Sequence, residues 1–175
     1  MKELQKYLEQ SSDRKYYEHR ISTLSETEKE RLEQLVIKMA NAGAKEPFSW
    51  AFSEFREGIP QFARFMVLKG LYQSAYDIEG SIGTGNDFDP HIDTVYKEIA
   101  DAVGEEKLKG FLINYGKGML YNMLGILDEG NTDYESEDSW QLMEHNRGSD
   151  TLGKPVSGLH EDFLEFEQQL SEGIL

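Results

Sequence analysis

Apolar residues recur at helical spacing along most of the chain. The clearest stretch follows Ser25 and Glu28, which fit a capping box, because each side chain can satisfy a free backbone amide in the first turn of a helix. The apolar residues after this box share one face, and they are Leu32, Leu35, Val36 and Met39. This pattern predicts an amphipathic helix that buries one stripe in a core.

Six other stretches have the same periodicity, and Ser11 to Asp13 weaken the first of them. They cover about residues 2–20, 47–57, 60–79, 90–103, 104–127 and 159–170. Asp89 followed by Pro90 predicts the cap and first turn of the fourth. The glycine-rich sequence between residues 81 and 87 predicts a turn or loop instead.

The most apolar stretch lies between Leu108 and Leu127. It is long enough to cross a membrane, but it contains Lys109 and Lys117, which are costly inside a bilayer. We therefore expect a core helix. The apolar positions assigned to its buried stripe are Leu108, Phe111, Leu112, Tyr115, Met119, Met123 and Leu127.

The last helix carries an apolar stripe with acidic residues on its opposite side, and the stripe consists of Leu159, Phe163, Phe166 and Leu170. Residues 139–145 have the composition of a short strand. The expected fold is all-α: one domain over residues 1–175, with six or seven helices and room for a minor β-hairpin near residues 139–156.

Composition agrees with a folded domain, because 38% of the residues are hydrophobic and 11% are aromatic. The chain has no cysteine, so it can form neither disulfides nor a thiolate site. Its first twenty residues lack the apolar run of a secretory signal. We therefore expect a cytoplasmic protein.

The net charge of −15 is unevenly distributed, because residues 129–175 contain twelve acidic and two basic residues. Such a field repels nucleic-acid phosphates and anionic lipid, and it attracts basic protein surfaces. We expect neither direct nucleic-acid binding nor membrane binding. A basic protein is the expected partner.

One local cluster could bind a cation, because Asp87, Asp89, His91 and Asp93 place carboxylates and an imidazole at alternate positions. Glu98 follows at the twelfth position of a calcium loop, but the glycine needed at the sixth is missing. Helix capping by Asp89 is the favoured interpretation. We accordingly predict no metal site and no cofactor.

No catalytic motif accompanies the other histidines. Neither a HExxH pair nor a GxSxG turn is present. His145 and His160 could still meet carboxylates in space, and sequence leaves that question open. Enzyme chemistry is therefore not indicated by any motif.

Three functional hypotheses follow. The leading one is a non-catalytic binding protein, such as an inhibitor, an immunity-type protein or a regulator, that docks a basic partner through an acidic surface containing Glu135, Glu137 and Asp138. The second is a metal-dependent hydrolase that uses the carboxylate and histidine cluster. The third is a structural domain whose acidity serves solubility.

Overall fold

The computed structural model describes residues 2–130, 139–145, 148 and 151–175. Glu135, Glu137 and Asp138 therefore lie outside the described residues. Nine α-helices, one 3₁₀ helix and two strands occur within the described ranges. The elements are α1 Lys2–Gln10, α2 Arg14–Ser22, α3 Glu26–Ala42, α4 Pro47–Glu57, α5 Gln61–Tyr76, α6 Ile78–Gly85, α7 Ile92–Val103, α8 Glu105–Glu129, β1 Met143–His145, β2 Leu152–Pro155, α9 Leu159–Phe163 and the 3₁₀ helix Phe166–Gln169.

The mainly α-helical class is confirmed, and two local features raise the helix count above six or seven. The first predicted helix divides into α1 and α2 around Ser11 to Asp13. The predicted glycine-rich loop is wrong, because α6 occupies most of it. Asp77 explains this helix: its Oδ1 accepts a hydrogen bond from the Gly80 backbone N–H at 2.9 Å. That cap offsets part of the entropy that glycine loses in a helix.

Helix α3 forms as its sequence predicts. The backbone N–H of Glu28 donates to Ser25 Oγ at 3.3 Å, and the backbone N–H of Ser25 donates to Glu28 Oε2 at 2.8 Å. Leu32, Val36 and Met39 are completely buried. The predicted capping box and apolar stripe are therefore both confirmed.

Aromatic side chains join α4, α5 and the C-terminal segment in the core. Phe65 and Phe166 meet edge to face with their ring centroids 5.1 Å apart, and Trp50 packs edge to face on both. The predicted last helix is divided into α9 and the 3₁₀ helix, yet its whole apolar stripe is buried. Core packing of that stripe is confirmed.

Helix α8 has the predicted position, but the predicted direction of its apolar stripe is wrong. Leu108 and Leu124 are the buried residues of this helix, whereas Phe111 and Met119 are 64% and 50% exposed. The helix instead packs on α5 through a side that includes Gly116, where an added Cβ would lie 3.8 Å from Ala75. The small residue permits this close approach and leaves the larger apolar side chains on the other side.

A short antiparallel hairpin precedes α9. Met143 pairs with Pro155, and His145 pairs with Leu152. This hairpin confirms the minor β-structure expected near residues 139–156. None of the helices in the described ranges combines the length and the apolar character that crossing a bilayer requires.

Candidate functional site

The cluster between residues 87 and 93 serves local structure. Asp89 Oδ1 accepts a hydrogen bond from the His91 backbone N–H at 2.9 Å, and Asn86 Nδ2 donates to Asp93 Oδ2 at 2.9 Å. Helix α7 begins at Ile92 with His91 at its N-cap position, so the predicted start at Pro90 is two residues early and the predicted N-cap role of Asp89 is wrong. Within the described part of the chain, no three His, Asp or Glu side chains are placed to hold a metal ion.

The structure pairs His160 with Asp128, a residue that sequence reasoning did not select. Asp128 lies near the C-terminal end of α8, and His160 lies in the first turn of α9. Nδ1 of His160 is 2.8 Å from Asp128 Oδ2, and the His160 backbone N–H donates to that same oxygen at 2.8 Å. His145 is exposed at the end of β1.

This pair fixes the orientation of the imidazole. The Asp128 side chain is 3% exposed, whereas that of His160 is 36% exposed. Because the buried carboxylate faces Nδ1, the ring carries its Nδ1 proton there and presents Nε2 as a hydrogen-bond acceptor when it is neutral. Asp128 Oδ1 is buried, and none of the residues in the described ranges donates a hydrogen bond to it.

A cavity of about 630 Å³ lies beside this pair. Apolar and charged side chains both line it, and the ones that matter for its chemistry are Ile59, Pro60, Pro155, Glu129, Lys154 and Glu161, besides Asp128 and His160. A volume of this size is typical of small-molecule sites.

Arg64 of α5 also lines this cavity. Its side chain is 10% exposed, and its Nη2 donates to the Gly158 carbonyl at 2.8 Å and to Asp162 Oδ2 at 2.7 Å. Burial raises the pKa of Asp162, although the Arg64 guanidinium opposes that rise. The ion pair therefore connects α9 to α5 through Nη2, whereas Nε of Arg64 is buried and has no hydrogen-bond partner among the described residues.

A second feature is an uncharged stripe of exposed side chains on α8. We call it the apolar face, and it consists of Phe111, Tyr115, Met119, Met123 and Ile126, each at least 50% exposed. Three steps of four residues and a last step of three place consecutive members on one side of the helix. Helix α7, which packs against α8, has an exposed apolar row of its own, formed by Val95, Ile99 and Val103.

The apolar face carries no charge because Lys117 lies on another side of α8. Lys117 Nζ donates to Glu167 Oε2 at 2.6 Å and to Tyr76 Oη at 3.1 Å. Tyr76 in turn donates to Glu167. The hydrogen bonds from Lys117 and Tyr76 lower the pKa of Glu167. No other charged residue occurs between residues 110 and 127.

No protein-family model, curated protein or solved structure matches the chain. A function for this chain therefore has to be inferred from the cavity beside His160 and from the apolar face of α8. The predicted stripe of α8 contained every residue of the apolar face except Ile126, but it placed them in the core. No local signal marked Asp128 as the partner of His160.

Proposed function

We propose that this is a non-catalytic binding protein whose apolar face receives an amphipathic helix from a basic partner protein. The observation that carries the proposal is the exposed, uncharged stripe on α8. Single exposed apolar residues are ordinary, but a contiguous set is typical of an interaction site. Aromatic and methionine side chains suit such a role because they provide contact area and adapt to a partner.

The dimensions of the apolar face suit a helix. Phe111 and Ile126 are fifteen residues apart, so the stripe runs for about 22 Å along α8. A partner helix of four to five turns would cover about that length. Its own apolar residues would recur at three- and four-residue spacing, as in other helix-binding surfaces.

Charge supports a basic partner. Residues 87–107, which lead into α8, contain seven acidic and two basic residues, and five acidic residues occur between 129 and 138. The apolar face thus lies between two acidic stretches of sequence. A second copy of the chain would bring the same net charge of −15, so long-range repulsion opposes self-association.

A pair of synthetic peptides tests the proposal. Both form an 18-residue amphipathic helix with one leucine stripe, and they differ only in lysine or glutamate beside it. Trp140 provides the signal because it is 51% exposed and its Nε1–H donates to the Ile126 carbonyl at 3.0 Å. Trp50→Phe removes the other tryptophan while keeping an aromatic ring in the core.

The lysine peptide should change the Trp140 fluorescence saturably and bind at least tenfold more tightly than the glutamate peptide. Met119→Lys should weaken that binding at least tenfold, because it places a like charge in the centre of the apolar face. Leu164→Lys is the matched control, since Leu164 is 70% exposed on a different part of the molecule. The Leu164→Lys variant should bind the lysine peptide as tightly as the protein without this substitution.

Two results would contradict the proposal. Equal affinity for both peptides would contradict the proposal that the partner is basic. Sedimentation equilibrium provides the other test: a wild-type dimer that becomes a monomer in Met119→Lys would assign the apolar face to a second copy of the chain.

A further inference from the structure

The cavity beside His160 contains a buried charge that the protein leaves incompletely bonded. Asp128 lines this cavity, its side chain is 3% exposed, and its Oδ1 has no hydrogen-bond partner among the described residues. Burial of an ionised carboxylate is costly unless donors compensate it. In the described residues, Oδ2 receives both bonds from His160 and Oδ1 receives none.

His160 adds an accessible acceptor to the same cavity. Its Nδ1 bonds to Asp128, and Nε2 makes no hydrogen bond to any of the residues that the structure describes. Because the ring is 36% exposed and lines the cavity, a ligand can approach Nε2. A neutral imidazole held in this tautomer accepts a hydrogen bond from such a ligand.

The charges around the cavity favour a cation. Asp128, Glu129 and Glu161 contribute three negative charges, and Lys154 contributes one positive charge. The guanidinium of Arg64 is paired with Asp162, which leaves the balance negative. Anionic ligands are disfavoured by this balance.

We propose that this cavity binds a primary alkylamine. The ammonium group donates to Nε2 of His160 in the field of Asp128, and the alkyl chain lies against Ile59, Pro60 and Pro155. A guanidinium fits less well, because its two-pronged contact needs both carboxylate oxygens and Oδ2 of Asp128 already accepts two bonds. This site is separate from the apolar face and does not depend on the proposed docking function.

Nuclear magnetic resonance of the His160 ring tests the site with n-butylamine as the probe. Butylamine should shift the ring resonances saturably, and butyrate, its anionic counterpart, should not. Asp128→Asn should weaken butylamine binding at least tenfold, because it removes the buried charge while retaining an acceptor for the His160 backbone N–H. Glu79→Gln makes the same change of charge at an exposed position of α6 and should leave the affinity unchanged.

Lys154→Met separates ligand binding from a structural role. Removing this cation should strengthen butylamine binding several-fold, because it removes a like charge from the cavity. Loss of a merely structural contact would not increase affinity for an amine. Glu161→Gln, at the exposed rim, should weaken binding and keeps the test informative if Asp128→Asn fails to fold.

The amine could belong to a free metabolite or to a lysine side chain, and a blocked Gly-Lys-Gly peptide distinguishes these sources. Tighter binding of the peptide than of butylamine would assign the site to a lysine of a protein. Tighter binding of butylamine would assign it to a small molecule. The inference would be overturned by preferential binding of butyrate, by the absence of saturable shifts, or by unchanged affinity in both Asp128→Asn and Glu161→Gln.

Discussion

The phenol of Tyr72 on α5 donates a hydrogen bond to the main-chain carbonyl of Phe163 on α9, 2.6 Å away in the core. The two rings also pack with their centroids 4.8 Å apart. Burial raises the pKa of Tyr72, so the phenol remains a donor at neutral pH. This contact, together with the ion pair between Arg64 and Asp162, fixes the helix that carries His160.

Phe163→Ala should strongly destabilise the protein. Phe163 is 2% exposed, and truncating a buried phenylalanine costs about 3–5 kcal/mol of unfolding free energy. Denaturant melts measure the loss. Leu164→Ala is the neighbouring control, since Leu164 is 70% exposed and its truncation should change stability by less than about 0.5 kcal/mol. Similar losses in both variants would contradict the burial of α9.

Two substitutions on α8 test which side of this helix faces the core. Leu124 is completely buried, so Leu124→Ala should cost about 2–5 kcal/mol. Met119 is 50% exposed, so Met119→Ala should cost less than about 0.5 kcal/mol. Thermal and denaturant unfolding provide the comparison. A larger loss in Met119→Ala than in Leu124→Ala would support the core stripe predicted from sequence and contradict the exposure of the apolar face.

Helices α3 and α8 show what sequence patterns can and cannot predict. In α3, the capping box and apolar stripe are local and agree with each other, so both could be predicted. In α8, periodicity correctly identifies the helix, but apolar residues occur on more than one side. Which side is covered depends on the approach of α5 at Gly116, and that is a tertiary property.

The candidate sites depended even more on tertiary structure. Asp128 and His160 are 32 residues apart, and neither belongs to a motif that would link them. In helix α6 a local signal was misleading: its glycine composition predicted a loop, but the side chain of Asp77 caps the segment and a helix forms. Local propensity is therefore a weak guide where one hydrogen bond can reverse it.

The stability contributed by Glu167 should disappear in acid. Hydrogen bonds from Lys117 and Tyr76 lower the pKa of Glu167 in the folded state. A lowered pKa stabilises the fold above the unfolded value, about 4.3, and this contribution is lost as the pH falls through the folded value. Glu167→Gln should therefore lower the melting temperature at pH 7, and the difference from wild type should narrow as the pH falls below the unfolded value of about 4.3.

Because the Glu167 side chain is 43% exposed, this loss at pH 7 should be smaller than that of Phe163→Ala. Lys117→Met should produce a similar dependence on acid, since it removes the other partner of the pair. A constant difference from pH 7 to pH 3 would show that the substitution acts through packing instead of charge.

Charge reversal in the acidic segment after α8 tests whether that segment steers the partner. Glu135, Glu137 and Asp138 contribute three negative charges, so changing all three to Lys should slow association with the lysine peptide. The effect should be larger at 0.01 M salt than at 0.1 M, because the screening length falls from about 30 Å to about 10 Å. Stopped-flow fluorescence of Trp140 measures the rate.

A control variant reverses three exposed acids elsewhere and so makes the same change in net charge; its residues are Glu9, Glu30 and Glu172. If both triple variants slow association equally, net charge steers the encounter. If only the first does, the segment after α8 provides the local field, and a native rate in both would remove steering altogether.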